Sequence, residues 1–284
     1  MRTVENAPGQ IQIEIGGLCA HIHSNSKELI KGLSARYSEF FSERDADMII
    51  DVELNEAAPI REGIEGLQIT ENKEGISIDH RHFTGFLRHS SEYNKIWLRR
   101  INVAYLQFFI RCCYGHLAAG HSGLIVHASA IVEAGKSFIF VGPSGVGKTT
   151  IAKLSSDKIV LSDDGVLIRI LNGAFEAFGT PFGLGTSSDS VLSVDIAGKN
   201  MSAPLQTIFL LQRGRDIRFR KLQPHEALTG IFFQSQMCRF FGLKKPTALV
   251  RSSFELCTEL VKHVACYEMS FTPRRLFWEE ARKL

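Results

Sequence analysis

The fold of this chain is decided by residues 137–150, which read Ser-Phe-Ile-Phe-Val-Gly-Pro-Ser-Gly-Val-Gly-Lys-Thr-Thr. From Gly142 to Thr149 the segment fits the phosphate-loop pattern G-x-x-x-x-G-K-[ST]. The apolar residues 138–141 predict a strand that leads into the loop, and residues 149–154 favour a helix that follows it. Because strand, loop and helix occur in the required order, the segment predicts a nucleotide-binding site rather than a chance glycine-rich turn.

Each part of this loop has a chemical purpose. Glycines allow successive backbone N–H groups to converge on phosphate oxygens, and the N-terminus of the following helix adds a partial positive charge. Lys148 supplies a full charge for the outer phosphates, and the Thr149 hydroxyl is a suitable ligand for Mg²⁺. The residues that we expect to contact ATP are Gly142, Ser144, Gly145, Val146, Gly147, Lys148, Thr149 and Thr150.

The composition is that of an ordinary globular protein. Hydrophobic residues make up 44% and charged residues 22% of the 284 residues, which is enough for one large domain or two moderate ones. The net charge of +3 is too small to indicate a nucleic acid or an anionic membrane as a partner. The N-terminal residues are polar, without the apolar core of a signal peptide, and the six cysteines show no metal-binding spacing. We therefore expect a cytoplasmic protein with reduced, buried cysteines.

The segments around the loop predict a mixed sheet. Residues 124–132 form a predicted strand that a short turn joins to the loop strand, so the two are expected to be antiparallel. After the helix, residues 159–164 form an apolar strand that ends in Asp163 and Asp164, and residues 166–178 form a hairpin with an Asn-Gly turn. Hairpins thus occupy positions where the common parallel-sheet nucleotide-binding domains have strand–helix–strand crossovers.

Three features of this region occur together. They are His127, fifteen residues before the loop, a loop of the form G-x-S-G-x-G-K-[ST], and the strand end at Asp163 and Asp164. In these features the chain resembles the HPr serine kinase/phosphorylase family, which shares its phosphate-loop fold with the phosphoenolpyruvate carboxykinases. The resemblance covers roughly residues 120–185. It implies an α/β phosphate-loop domain of this type with a mixed sheet. The strand and helix patterns of the N-terminal residues predict a smaller α+β domain before it, so that the chain is α+β overall.

The resemblance also implies an activity, that of an ATP- and Mg²⁺-dependent kinase. Such an enzyme transfers the γ-phosphoryl group to a serine hydroxyl of a protein, a peptide or a small molecule. Lys148 would be catalytic, Asp163 would be the base, paired with His127, and Asp164 would join Thr149 on Mg²⁺. The reverse assignment of the two carboxylates stays open, because strand alternation no longer fixes their directions where the strand ends. The alternative function is a nucleotide-dependent binding or regulatory module with little or no turnover.

Arg213 and Arg215 follow an apolar strand at residues 205–211. They begin an arginine-rich segment, residues 213–221, that is predicted to form a hairpin. Because arginine clamps recur in phosphoryl transfer, either residue is a candidate phosphate contact. The competing interpretation is a solvated edge strand protected by charge. The polar residues 186–199 are predicted to form a loop that orders over the substrate.

Two domains are expected, residues 1–118 and residues 119–284. The N-terminal domain has strand-like alternation and an amphipathic helix at residues 26–42. It has no phosphate-binding motif, and His21 and His23 are interpreted as solvated histidines without a third metal ligand. We expect this domain to recognise the acceptor, for instance by adding an extended peptide to a sheet edge. The competing interpretation is that it covers the kinase sheet or forms a contact in a homo-oligomer.

Overall fold

The computed structural model describes six stretches of the chain. They are residues 9–58, 66–90, 92–183, 198–242, 247–272 and 277–284. The chain divides into two compact units, of which the first ends at Leu117 and the second begins at Ala118. Most of the predicted substrate loop at residues 186–199 lies outside the described residues. No helix in the described stretches is long and apolar enough to cross a membrane.

The first unit is built on a seven-stranded sheet. In chain order its elements are β1 (Gln10–Ile15), β2 (Leu18–Ser24), α1 (Lys27–Arg36), β3 (Met48–Leu54), β4 (Gln68–Glu71), β5 (Gly75–His80), β6 (Phe83–Arg88), β7 (Tyr93–Leu98) and α2 (Val103–Gly120). The strand order across the sheet is β1-β2-β3-β7-β6-β5-β4. β3 is parallel to β2 and to β7, whereas the other neighbours are antiparallel.

Alternation along β1 explains how this unit forms a core. The side chains of Ile11, Ile13 and Ile15 are fully buried, and the residues between them are half-buried. Helix α1 packs against β1 and β2. It begins after Ser26, whose hydroxyl accepts a hydrogen bond from Leu29 N at 3.3 Å. This side-chain cap satisfies one of the backbone donors that a helix N-terminus leaves open.

Helix α1 is shorter than the sequence pattern indicated. It ends at Arg36, and a 3₁₀ turn over Ser38–Phe40 follows, in place of one helix over residues 26–42. The chain leaves helical geometry at Tyr37, where φ is −103° and ψ is 15°. Tyr37 and Phe40 are nevertheless buried, which is why the apolar spacing continues beyond the helix.

The second unit contains a nine-stranded mixed sheet and five helices among its described residues. Its elements are β8 (Gly123–Val126), β9 (Ala128–Glu133), β10 (Lys136–Val141), α3 (Lys148–Leu154), β11 (Ile159–Ser162), β12 (Val166–Leu171), β13 (Ala174–Phe178), β14 (Ser202–Arg213), β15 (Arg218–Lys221), α4 (Pro224–Phe232), α5 (Gln236–Phe241), α6 (Ala248–His263), β16 (Ala265–Phe271) and α7 (Phe277–Ala281). The predicted antiparallel neighbour of the loop strand is confirmed, because β9 pairs with β10 in that direction.

The long strand β14 organises this sheet. It is parallel to both β10 and β16, and its first residues pair antiparallel with β13. β12 forms the predicted hairpin with β13 and also pairs with β8. The predicted hairpin over residues 213–221 is wrong. β15 pairs with β16 instead of β14, because β14 already has β10 and β16 as neighbours.

Helices cover both faces of the sheet. On β14, Phe209 and Leu211 share a buried cluster with residues of α3 and α7. Leu210, between them, faces α4, where a Cβ on Gly230 would lie 1.9 Å from its Cδ2. Because successive side chains on a strand point to opposite faces, α3 and α7 lie on one face and α4 lies on the other.

Candidate functional site

The phosphate loop joins β10 to α3 and depends on its glycines. Gly147 has φ +124°, and a Cβ at this position would lie 2.6 Å from the ring of Phe271. Gly145 has φ +76°, and a Cβ on Gly142 would lie 2.9 Å from Val146 Cγ1. A side chain at 147 would therefore meet both a backbone conformation that L-residues rarely adopt and a buried ring. The loop conformation requires glycine there.

Lys148 is buried, with 5% of its surface exposed. Its Nζ donates hydrogen bonds to the carbonyl oxygens of Gly142 and Pro143, both at 2.9 Å. Burial lowers the pKa of this ammonium group to about 8, the Asp164 carboxylate opposes the shift, and the charge of Arg239 adds to it. The loop thus holds a poorly solvated cation against its own carbonyls.

The remaining loop residues offer groups toward solvent. Ser144, Gly145 and Thr149 are exposed, and Thr150 is half-buried. Helix α3 begins at Gly147 without a side-chain cap, so no side chain closes its N-terminus. These groups are the hydroxyl and backbone donors that phosphate binding requires.

His127 lies between the end of β8 and the start of β9. The predicted single strand over residues 124–132 is in fact β8 and β9, which pair with different neighbours. At the break, His127 Nδ1 lies 2.9 Å from Asp164 Oδ1 and 3.0 Å from the Asp164 carbonyl oxygen. The backbone also holds this position, since His127 N donates to Gln234 O at 2.8 Å and Ala128 N donates to Asp164 O at 3.2 Å. The imidazole is therefore fixed against the second carboxylate of the acidic pair.

The family resemblance implies that His127 pairs with Asp163, whereas the carboxylate that the structure places 2.9 Å from His127 Nδ1 is that of Asp164. Strand β11 ends at Ser162, and its register against β9 shifts between Val160 and Ser162. The two carboxylates therefore lie beyond regular strand structure, where alternation cannot assign their directions. Both are buried, Asp163 with 8% and Asp164 with 6% of its surface exposed.

Of the two candidate arginines, one contacts the loop. Arg213, the last residue of β14, donates from Nη2 to the carbonyl oxygen of Gly145. Arg215 is exposed on the turn that follows. The parallel pairing of β14 with β10 explains this placement, because parallel strands end at the same edge of a sheet. Arg213 is thus the better placed candidate for a phosphate contact.

Sequence reasoning missed two residues, Gln234 between α4 and α5 and Arg239 on α5. The backbone carbonyl of Gln234 accepts a hydrogen bond from His127 N, and the side-chain Oε1 of Gln234 accepts one from Arg239 Nη1 at 2.9 Å. The aromatic residues around this segment indicated helix packing and obscured its polar members. Phe233, beside Gln234, leaves 49% of its surface exposed.

A cleft of about 340 Å³ opens between the phosphate loop and α4. Its lining includes Gly142, Pro143, Phe233 and Gln234. The polar part of the lining is an ion-pair network centred on Arg220, which contacts Glu226 at 2.9 Å and Glu268 at 3.1 Å. The cleft thus shares residues with the loop and with the segment that holds His127. Its volume is at the lower end of the range that small-molecule sites occupy.

Two other predictions concern cysteines and metal ligands. The six cysteines are free and buried, as predicted. In the described stretches there is no group of three or more His, Cys, Asp and Glu side chains that could hold a metal ion. Magnesium in nucleotide sites takes only one or two carboxylates, together with water and substrate phosphates. The Thr149 hydroxyl and one carboxylate of the acidic pair are oxygen donors of the kind that it prefers.

The model of one protein family, described as SynChlorMet cassette protein ScmC, matches residues 92–284, which is two thirds of the chain. The chain belongs to the ScmC family. The ScmC match includes all of the second unit, and with it the phosphate loop, the acidic pair and His127.

No curated protein matches the chain. Among solved structures, the chain is similar to the Hpr(Ser) kinase/phosphatase from Coxiella burnetii, at 12% identity over 56% of this chain and 90% of that chain, with a TM-score of 0.31.

Proposed function

We propose that this protein is an ATP- and Mg²⁺-dependent kinase that transfers the γ-phosphoryl group to a hydroxyl of a peptide, protein or small molecule, with serine as the expected acceptor residue. One observation carries the proposal. The carboxylate of Asp164 favours the charged form of the buried loop ammonium group of Lys148, and its Oδ1 lies 2.9 Å from His127 Nδ1. A cation for the donor phosphates and an oriented carboxylate for the acceptor are therefore combined in one site.

The phosphate loop would bind ATP, the phosphoryl donor. Lys148 donates to two carbonyl oxygens in this structure, and bound phosphate would offer its Nζ charged acceptors in their place. The open N-terminus of α3 adds backbone donors. Thr149 and Asp163 would hold Mg²⁺, which would neutralise charge on the phosphates. These residues position the donor and contribute no covalent chemistry.

On the acceptor side, the contact with His127 favours Asp164 as the base, the reverse of the assignment that the resemblance implies. His127 Nδ1 lies 2.9 Å from one oxygen of this carboxylate and so orients it. The other oxygen can then accept the proton of the attacking hydroxyl, as a positioned carboxylate does in general base catalysis. The cleft beside Gln234 is the proposed route by which the acceptor reaches this group.

A pair of matched variants tests these roles. We expect Asp164→Asn to keep Mg²⁺-dependent ATP binding and to lose phosphoryl transfer by about a hundredfold or more. Asp163→Asn should instead weaken Mg²⁺-dependent ATP binding. Calorimetry with and without Mg²⁺ separates the two. If the two variants exchange behaviour, the carboxylate roles are reversed.

The acceptor is found by comparing phosphopeptides from cells with and without the gene, together with a search of neighbouring genes for a small peptide precursor. Purified protein should consume ATP only when the acceptor found in this way is present. ATP binding without acceptor-dependent turnover would identify a nucleotide-dependent binding module instead. Absence of ATP binding would refute both functions.

For the N-terminal unit we propose acceptor recognition, since β4 lies at one end of its sheet, where an extended peptide could add as a further strand. A chain that begins at Gly120 should keep ATP binding and lose acceptor phosphorylation, after circular dichroism has shown that it folds. Undiminished acceptor turnover by the shortened chain would contradict this role. It would leave a cover for the sheet or a homo-oligomer contact as the interpretation of the N-terminal unit.

A further inference from the structure

Thr180 carries a fully buried hydroxyl group outside the phosphate loop. It lies just beyond the end of β13, and none of its surface is exposed. The backbone around it is tightly packed, because a Cβ on Gly179 would lie 1.9 Å from Lys199 O and a Cβ on Gly198 would lie 1.9 Å from Thr180 O. A polar group is costly to bury unless its hydrogen bonds are made. The Thr180 hydroxyl is therefore expected to have specific partners.

The partners of this hydroxyl lie on both sides of the acidic pair. Thr180 Oγ1 donates to the carbonyl oxygen of Gly165, the residue that follows Asp164. Ser162 Oγ, from the residue that precedes Asp163, lies 3.5 Å from Thr180 Oγ1. A threonine hydroxyl has one proton, and Gly165 O accepts it, so the Ser162 hydroxyl is the donor in the second contact. One buried oxygen atom thus links the two ends of the segment that carries both carboxylates.

Other hydrogen bonds hold the same segment to β9 and to His127. Ala128 N donates to Asp164 O at 3.2 Å, and His127 Nδ1 lies 3.0 Å from the same carbonyl oxygen. The consecutive carbonyl oxygens of Asp164 and Gly165 therefore bond to different parts of the chain. Both carboxylates lie beyond β11, where strand alternation no longer fixes a side chain. We infer that these bonds, and not strand pairing, set the directions of the two carboxylates.

We propose that Thr180 is a positioning residue, which keeps Asp163 directed at Mg²⁺ and Asp164 directed at the acceptor hydroxyl. The inference rests on the proposed kinase function. It holds for either assignment of the two carboxylates, because Thr180 bonds to residues on both sides of the pair. Since Thr180 is fully buried, it has no surface for a ligand and acts through the acidic pair. Residues that orient a metal ligand in this way alter metal affinity when they are removed.

The test measures ATP affinity by calorimetry with and without Mg²⁺. Thr180→Val replaces the hydroxyl with a methyl group of similar size, and it should weaken Mg–ATP binding about tenfold. The affinity for ATP without Mg²⁺ should be unchanged, because Lys148 and the backbone donors of the loop remain in place. Thr180→Ser keeps the hydroxyl and should restore Mg–ATP binding.

Thr207→Val is the matched control for the loss of a buried hydroxyl. Thr207 is also fully buried, on β14, but its Oγ1 has no hydrogen-bond partner in the described stretches of the chain. The exchange there removes a hydroxyl without breaking a bond, so both affinities should equal those of the wild-type protein. Thermal unfolding shows whether each variant is folded. If Thr180→Val does not fold, Thr180→Ala decides in its place, because it removes the hydroxyl without placing a methyl group against Gly165 O.

Four outcomes would overturn the proposal. They are unchanged Mg–ATP binding in the variant without the hydroxyl, equal losses with and without Mg²⁺ in that variant, no recovery in Thr180→Ser, and a selective loss of Mg–ATP binding in Thr207→Val. Equal losses would show that Thr180 only supports the core. A wild-type protein that binds ATP in neither condition is a different result, because it refutes the proposed function itself.

Discussion

The two units differ in how their buried polar groups are arranged. Among the described residues of the first unit, the buried Asp79 accepts a hydrogen bond from Thr84 on the neighbouring strand, and the buried His116 lies on α2. In the second unit a lysine and two aspartates are buried at one edge of the sheet, beside the phosphate loop. Burial of a charge is costly unless the charge is paired. Single buried polar groups are compatible with a structural core, whereas a cluster of unlike charges at a loop indicates a ligand site.

The N-termini of α1 and α3 also differ, in whether a side chain caps them. The first turn of α1 is closed by the Ser26 hydroxyl, which occupies a backbone donor. The first turn of α3 begins at Gly147 with no side-chain cap. A capped helix has already satisfied one of its donors and gains stability, while an uncapped helix keeps its donors for a ligand. The N-terminus of α1 is therefore organised for stability and that of α3 for binding, and four changes test that contrast.

The largest effect is expected for Lys148→Met. Loss of the buried ammonium group should lower ATP affinity about a thousandfold, or ~4 kcal/mol, measured by calorimetry. The same change should stabilise the nucleotide-free protein by about 1 kcal/mol, because it removes a charge whose pKa burial lowers to about 8. A loss of ATP affinity together with a gain in stability would show that Lys148 is retained for its ligand. A loss of both ATP affinity and stability would show that Lys148 has a structural role.

The pH dependence of the unfolding free energy tests whether this stability change comes from the lowered pKa of Lys148. Its ordinary pKa is 10.5, so between about pH 8 and pH 10.5 the unfolded chain binds this proton and the folded chain does not. Stability due to this group therefore rises with pH in that window. Lys148→Met should remove that increment, seen as a shallower slope of unfolding free energy against pH.

The second effect concerns glycines in the second unit. Gly147→Ala should lower the free energy of unfolding by about 3 kcal/mol, since the new Cβ meets the Phe271 ring and an unfavourable φ. Gly135→Ala is the matched control, because Gly135 has φ +76° but no atom within 4 Å of its would-be Cβ. It should cost only about 1 kcal/mol. Equal costs in urea unfolding would show that backbone strain alone explains Gly147.

Much of the candidate site could be predicted because it depends on local sequence. The loop glycines, Lys148 and the acidic strand end are consecutive or nearly so, and a phosphate loop needs them at fixed spacing. The carboxylate that contacts His127 could not be predicted, since Asp163 and Asp164 lie just beyond β11 where alternation ends. The structure decides the pairing through the break between β8 and β9, which residues 124–132 do not show as a sequence pattern.

Long-range relations account for the other failures of prediction. Adjacent strands such as β14 and β15 normally favour a hairpin, but here β16, much later in the chain, takes the position between them. Gln234 also lies far from His127 in sequence, yet its carbonyl accepts a hydrogen bond from His127 N beside the bridge of Ser235 with Val126. Local propensity contains no information about such contacts, which arise only from the packed topology.

The third effect is an acid sensitivity of the first unit. Burial lowers the pKa of His116 from 6.5 to about 4, with a further contribution from the charge of His89. Below pH 6.5 the unfolded chain binds a proton that the folded chain does not, so stability falls as the pH is lowered from about 6.5 to about 4. The loss should be on the order of 3 kcal/mol. His116→Gln should abolish this part of the pH dependence.

The two units can be observed separately in such measurements. Trp97 lies on β7 of the first unit and Trp278 on α7 of the second, and these are the two tryptophans of the chain. A Trp278→Phe background reports on the first unit through fluorescence, and a Trp97→Phe background reports on the second. If the acid effect of His116 appears only through Trp278, the assignment to the first unit is wrong.

The smallest effect is expected for Ser26→Ala, which removes the cap of α1. Loss of the hydrogen bond to Leu29 N should lower the stability of the first unit by about 1 kcal/mol, seen in urea unfolding through Trp97. Calorimetry should give the same ADP affinity as for the wild-type protein, because the cap closes donors that no ligand uses. ADP should in turn raise the unfolding midpoint observed through Trp278, since it occupies the uncapped start of α3. If Ser26→Ala weakens ADP binding, α1 contributes to the nucleotide site and the contrast between the two units fails.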